Sequence, residues 1–233
     1  MKPLIQALLL LGTTVISVSQ LQAQELLKFH ARIGTSANTF SSASTLAKTA
    51  SFGSVVGGGA EYSITTSLKV LATLDYHQLK GQLDPTTTTT PEYSALSENK
   101  ITINMAELTG SGAYKLPLSF LGDLAPYVTA GGSVGYNFYT ENNRTTEYSY
   151  PGYSFQLNSK DNVTSEFTQL LYSVQAGARL EISLREGIFT GLLFDVRYRR
   201  NLNAVKQGLS AAGSTDPADT YADSVMASIG LQF

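Results

Sequence analysis

The sequence predicts an all-β fold: an eight-stranded antiparallel up-and-down transmembrane β-barrel. Three observations predict it. Eight long stretches alternate apolar and polar residues with a period of two, the connections between them alternate long and short, and the N-terminus has the order of an export signal. The alternating stretches are 26–36, 54–64, 68–79, 101–116, 125–139, 167–183, 188–200 and 221–233. Each is at least as long as the about 9–11 residues that a tilted membrane strand needs, where soluble strands usually stop at about five or six.

At the N-terminus, Lys2 supplies the positive charge, and residues 4–18 are apolar but interrupted by Gln6, Gly12 and threonines. Small and polar residues follow, with Ala23 expected last before cleavage. That segment is too short and broken for a retained helix, which needs about 20 apolar residues. The expected organisation is therefore a signal peptide at 1–23 and one barrel domain at 24–233. No later window is apolar enough for a membrane helix, which excludes a helix bundle. There is no cysteine for a lipid anchor or a disulfide. A net charge of −2 argues against a nucleic-acid partner. Abundant Tyr, Thr, Ser and Gly with only 15% charged residues is a β composition.

The long connections are 35–53, 81–100, 140–166 and 201–220, and the short ones are 63–67, 117–124 and 183–187. This sets long loops on the cell exterior, and tight turns and both chain ends on the periplasmic side. The long connections read as polar, irregular loops. One carries Thr86–Thr90 between Pro85 and Pro91, which cannot build a core. Another carries Tyr148, Tyr150, Tyr153 and Phe155, a binding patch for an extracellular ligand or protein, or packing over the barrel mouth.

Every well-patterned strand has an apolar face without charge and a face bearing charges and glycines. The second face holds Lys28, Arg32, Lys69, Lys115, Arg179, Arg197 and Arg199, with Glu61, Asp75, Glu107, Glu181 and Asp195. An eight-stranded lumen is just filled by side chains, and buried charges are tolerable when paired. The nearly balanced signs predict a closed, charge-paired lumen rather than a narrow passive pore, where one sign would dominate a constriction. A soluble lipocalin-like binding barrel would turn the apolar face inward. The alternating loop lengths argue against it, as do Tyr62, Tyr76, Tyr114, Phe138 and Tyr198 at strand ends on the apolar face, where an interfacial girdle belongs.

The fourth stretch shifts phase. Ile101, Ile103 and Met105 are apolar in one phase, and Leu108, Gly110, Gly112, Tyr114 and Leu116 follow in the other. Either a bulge lies near Ala106 or, as we favour, the first part rises above the membrane while Glu107, Thr109, Ser111 and Lys115 face inward.

Little points to catalysis. His30 and His77 are the only histidines, and His77 stands two residues from Asp75 on one face. A His–Asp pair can orient an imidazole for base work, but no serine or carboxylate motif accompanies it. No metal-ligand spacing, phosphate loop or dinucleotide motif is present. The expectation is a non-enzymatic barrel without a cofactor. Gly57-Gly58-Gly59 inside a strand reads as backbone that lets the barrel curve or pack closely.

Val225, Ala227, Ile229, Leu231 and Phe233 share one face of the last strand, and the strand ends in phenylalanine. This pattern resembles the assembly signal read by the outer-membrane insertion machinery. Ala113-Tyr114-Lys115-Leu116-Pro117, a short turn, and Ala125-Pro126-Tyr127-Val128-Thr129-Ala130-Gly131-Gly132 are similar to the centre of the eight-stranded PorT-like and OmpA/OmpX-like barrels common in Bacteroidetes. The resemblance implies an outer-membrane location, contact with its lipid, and the insertion machinery as an assembly partner. The functions of that family are diverse, so what it implies of the task stops at a structural or surface-interaction role.

Overall fold

The computed structural model describes residues 27–42, 50–118, 124–184, 188–206 and 219–233, and the expected signal peptide lies outside them. Nine strands are present among the described residues: β1 (Leu27–Ser42), β2 (Ser51–Ser63), β3 (Leu68–Thr89), β4 (Ser94–Lys115), β5 (Leu124–Tyr150), β6 (Tyr153–Asn162), β7 (Leu170–Ser183), β8 (Gly191–Asn201) and β9 (Thr220–Gln232). Eight of them close a ring, each antiparallel to its neighbours, in the order β1-β2-β3-β4-β5-β7-β8-β9 and back to β1. Closure lets every strand pair on both sides, as hydrocarbon demands of backbone that water cannot reach.

The ninth strand, β6, is not part of the ring. It pairs only with the distal part of β5, from Glu141↔Asn162 to Tyr150↔Tyr153. The expectation of irregular loops at 81–100 and 140–166 is therefore corrected. β3 and β4 stay paired up to Thr89↔Ser94, past a register shift between Leu83 and Thr86. β4 and β5 stay paired up to Ser94↔Ser149. Together β3, β4, β5 and β6 form a four-stranded sheet that continues the barrel wall on its long-loop side. The threonine tract builds no core, yet β-branched side chains favour extended backbone, so it makes a strand. Pro151-Gly152 closes the last hairpin. Proline presets the first turn position, and glycine takes the second at φ 97°.

The faces settle which solvent surrounds the barrel. The charged phase is buried inside, with Glu61 and Arg199 almost inaccessible, while Ile33, Leu108 and Val196 stand 60%, 59% and 53% exposed. This is the reverse of a soluble barrel and excludes the lipocalin-like alternative. Tyr62 and Tyr114 face outward near the short-turn end, and Tyr76, Phe138 and Tyr198 face outward near the other, which marks out two interfacial girdles.

β4 itself carries no bulge. Its odd-numbered residues face inward from Ile101 to Ala113. The irregularity lies on β5, where Asn104 pairs with Tyr139 and Met105 with Asn137, leaving Phe138 as the extra residue. Ile101, Ile103 and Met105 thus share the inner face with Glu107. They pack with Phe40, Leu79, Leu171 and Ala222, and with Phe167 and Val205 from the segments 163–169 and 202–206. The barrel interior is polar over most of its height and apolar at the long-loop end.

Val174 faces out and Gln175 faces in, at 45% and 5% exposure. Val174→Arg should cost roughly 2–4 kcal/mol if near the bilayer midplane, with a smaller penalty in thinner bilayers. Gln175→Arg should act through crowding inside, independent of thickness. Folding efficiency into vesicles of graded acyl-chain length measures both. Equal behaviour of the two variants at every thickness would contradict these faces.

Candidate functional site

The lumen is built from rows of facing residues across neighbouring strands. Arg32 on β1, Gly57 on β2 and Asp75 on β3 form one such row. Because Gly57 has no side chain, Arg32 reaches Asp75 across it, with Nε donating to Oδ1 at 2.9 Å and Nη2 to Oδ2 at 2.5 Å. A Cβ at position 57 would stand 2.2 Å from Asp75 Oδ1. The glycine run is therefore close approach of charged side chains as well as of backbone.

Glu61 is the hub nearest the short-turn end. It accepts from Lys69 Nζ at 2.9 Å, Arg179 Nη1 at 3.1 Å and Gln232 Nε2 at 2.6 Å. Lys69 also donates to Glu181 at 2.6 Å and stands 4.7 Å from the Tyr127 ring centroid. Arg179 Nε donates to Asp195 Oδ2 at 3.1 Å, and Arg197 makes two bonds of 2.6 Å to the Asp195 carboxylate. Above them Glu107 accepts from Arg199 Nε at 3.2 Å and Ser133 Oγ at 2.5 Å. Ser133 and Arg199 both bond Ser173. These bidentate and shared contacts are the geometry in which buried charges are compensated.

Ten of the twelve expected charges meet in these pairs. Lys28 instead donates to the Gln232 side-chain oxygen at 3.3 Å. Lys115 is exposed, which corrects its inward placement. Its phase is right, but it is the last residue of β4, where the wall ends and the side chain reaches water. His77 is also corrected: its partner is Glu107, at 3.1 Å, while Asp75 is held by Arg32 and Thr73. Gln175, Ser133 and Ser173 are polar partners that alternation places inside but nothing in the sequence singles out. A cavity lined by Arg32, Asp195, Arg197 and Met226 holds about 10 Å³. That is space for about one water molecule.

Tyr148, Tyr150, Tyr153 and Phe155 come together on the β5–β6 hairpin. Tyr148 stacks on Phe155 at 5.1 Å and Tyr150 on Tyr153 at 4.9 Å, each a directly facing pair. Tyr93 joins them, 5.4 Å from Tyr150. They pack on one another, whereas Phe167 and Val205 pack with Ile101, Ile103 and Met105 at the apolar end of the interior. In the last strand Val225, Ala227, Ile229 and Leu231 face outward. Phe233 exchanges backbone hydrogen bonds with Phe29 at 3.1 and 2.9 Å and packs beside Phe189.

The family model described as outer membrane protein beta-barrel domain matches residues 19–207. The chain belongs to this family. It is an outer-membrane protein. Solved structures to which the chain is similar include Ail, the attachment invasion locus protein of Yersinia pestis, at 11% identity, covering 88% of this chain and 98% of that one, with a TM-score of 0.36. Neisserial surface protein A matches at 13% identity over 88% and 97%, with a TM-score of 0.40. OprG from Pseudomonas aeruginosa matches at 12% identity over 89% and 96%, with a TM-score of 0.39. No curated protein matches the chain.

Glu61→Ala should cost about 3 kcal/mol, since it takes a buried carboxylate partner from each of Lys69 and Arg179 and leaves them to Glu181 and Asp195. Lys115→Ala should be close to neutral because its side chain is in water. Urea unfolding of the vesicle-inserted protein compares them, and similar midpoints would refute the hub assignment.

Proposed function

We propose that this outer-membrane barrel is a closed scaffold whose task is surface interaction, carried by the four-stranded extension. The observation that carries the reading is β6. All ten of its residues are exposed, and among the described residues no strand covers its outer edge. Tyr153 and Leu157 are 61% and 55% exposed, and the stacked rings beside them stiffen the hairpin. A rigid aromatic platform loses little conformational freedom on binding, and aromatic side chains dominate binding energy. An open edge also offers backbone donors and acceptors to an extended segment of another protein.

The filled lumen favours a scaffold over a pore. The pairing of charges supports a role for the network in holding the barrel shut. On the same reading, residues 1–23 direct export, Val225 to Phe233 serve recognition by the insertion machinery, and the chain falls with the PorT-like and OmpX-like barrels.

Deleting Tyr148–Phe155 should abolish adhesion of expressing cells to host-matrix or cell-surface material while the barrel keeps its heat-modifiable gel migration. Unchanged adhesion with a folded barrel would refute the surface role. In planar bilayers the intact protein should show no steady conductance of porin size, and a reproducible large open state would favour a pore instead.

A further inference from the structure

The polar lumen and the apolar end of the barrel meet at three side chains from three strands. Ser36 on β1, His77 on β3 and Glu107 on β4 are all buried. His77 Nδ1 lies 3.1 Å from Glu107 Oε2, and His77 Nε2 lies 3.2 Å from Ser36 Oγ. The contact to Ser36 crosses β2, where Gly53 stands opposite Ser36 without a side chain. Glu107 already accepts from Arg199 and Ser133, so it is an acceptor toward His77 as well. The ring proton of a neutral imidazole is then on Nδ1, Nε2 is left as an acceptor, and the Ser36 hydroxyl donates to it. This is the order nucleophile, base, orienting carboxylate.

Two neighbouring features point to a substrate. The Arg199 guanidinium is fully buried, and among the described residues its Nη1 and Nη2 have no hydrogen-bond partner, although its Nε is anchored on Glu107. Buried donors of this kind stabilise developing negative charge. Directly along the same inner face stand Leu79, two residues after His77, Met105, two before Glu107, and Phe40, four after Ser36. The three side chains thus lie where charged groups give way to hydrocarbon along the inner wall.

We propose that Ser36, His77 and Glu107 form a serine-hydrolase triad inside the extracellular end of the barrel, acting on esters of long apolar acyl chains. Ser36 Oγ attacks the ester carbonyl carbon while its proton passes to His77 Nε2. The oxyanion forms beside Arg199 Nη1 and Nη2. The carbon–alkoxy bond then breaks, and the alcohol leaves with the proton from His77. Water, deprotonated by His77, cleaves the acyl-serine, releasing the carboxylic acid and restoring Ser36. Glu107 is a positioning residue that holds the imidazole. The acyl chain takes the volume now filled by the cover, Phe167 and Val205. That cover is tied down by the Thr168 N–H donating to Val205 O at 2.9 Å and by Lys206 Nζ, 3.3 Å from Glu166 Oε2 and 5.3 Å from the Phe167 ring centroid.

The test uses the full chain folded in detergent, with folding of each variant verified by heat-modifiable migration. The probe is a fluorophosphonate bearing a dodecyl chain, followed by intact mass and peptide mapping. One adduct on Ser36 is expected, absent in Ser36→Ala, formed faster in Lys206→Ala, and slowed about 100-fold or more in His77→Gln. Dodecanoyl p-nitrophenyl ester should be hydrolysed above the Ser36→Ala blank. Should His77→Gln not fold, the pH profile of wild-type labelling replaces it: a rate rising through one ionisation supports the triad, and a flat profile overturns it. No adduct on Ser36 in either wild type or Lys206→Ala, or a rate indifferent to His77, overturns the proposal.

Discussion

Hydrocarbon offers backbone no hydrogen bonds, and the remainder of this architecture follows from that constraint. The sheet has to close, so β9 returns to β1, and with eight strands the enclosed space is only as wide as side chains can fill. Because side chains alternate, half of each strand must be dissolved in lipid and half packed in that narrow space. Inward charges then have no water to retreat to and are kept by reciprocal pairing. Inward glycines such as Gly57 become the gaps through which long side chains reach partners two strands away.

Most of the barrel was legible in the sequence because period-two alternation is a direct image of this two-solvent problem. The strands, their lipid face, the side of the long connections and the inward charges all follow from it. The extension was not legible for the same reason. Above the membrane both faces of a strand meet water, so Thr86–Thr90 and residues 140–162 lose the contrast between faces and read as loop. Pro151-Gly152 was the available cue, a two-residue turn between alternating segments. The shift at β4 misled differently. Apolar residues at Ile101, Ile103 and Met105 kept the inward phase while the chemistry of the interior changed from charged to dry. Partners within the lumen were beyond reach altogether. Alternation places His77 inside but cannot say that it meets Glu107 and Ser36 instead of the nearer Asp75.

The two ends of the wall are thereby specialised. At the long-loop end, β6 is held by its backbone pairing with β5, by ring stacking and by an ion pair, Lys160 to Glu141 at 2.9 Å. Inside, the apolar cap separates the charged lumen from the exterior. An exposed sheet and a sealed interior make different demands on stability, and the architecture meets them in separate places: one in a hairpin that β6 can leave without opening the ring, the other behind a short cover from two connections.

Two of the three partners of Glu61 lie far along the chain: Arg179 is 118 positions away and Gln232 is 171. Neither of these pairings can form from local structure, and each brings together strands from the early and late parts of synthesis. The hub can therefore be complete only once the last strand has docked, so its contribution falls after most of the sheet is assembled. Interactions made that late slow escape from the native state more than they speed arrival. The lumen of this protein acts as a kinetic clasp: it does little to guide the chain into the membrane and much to keep it there.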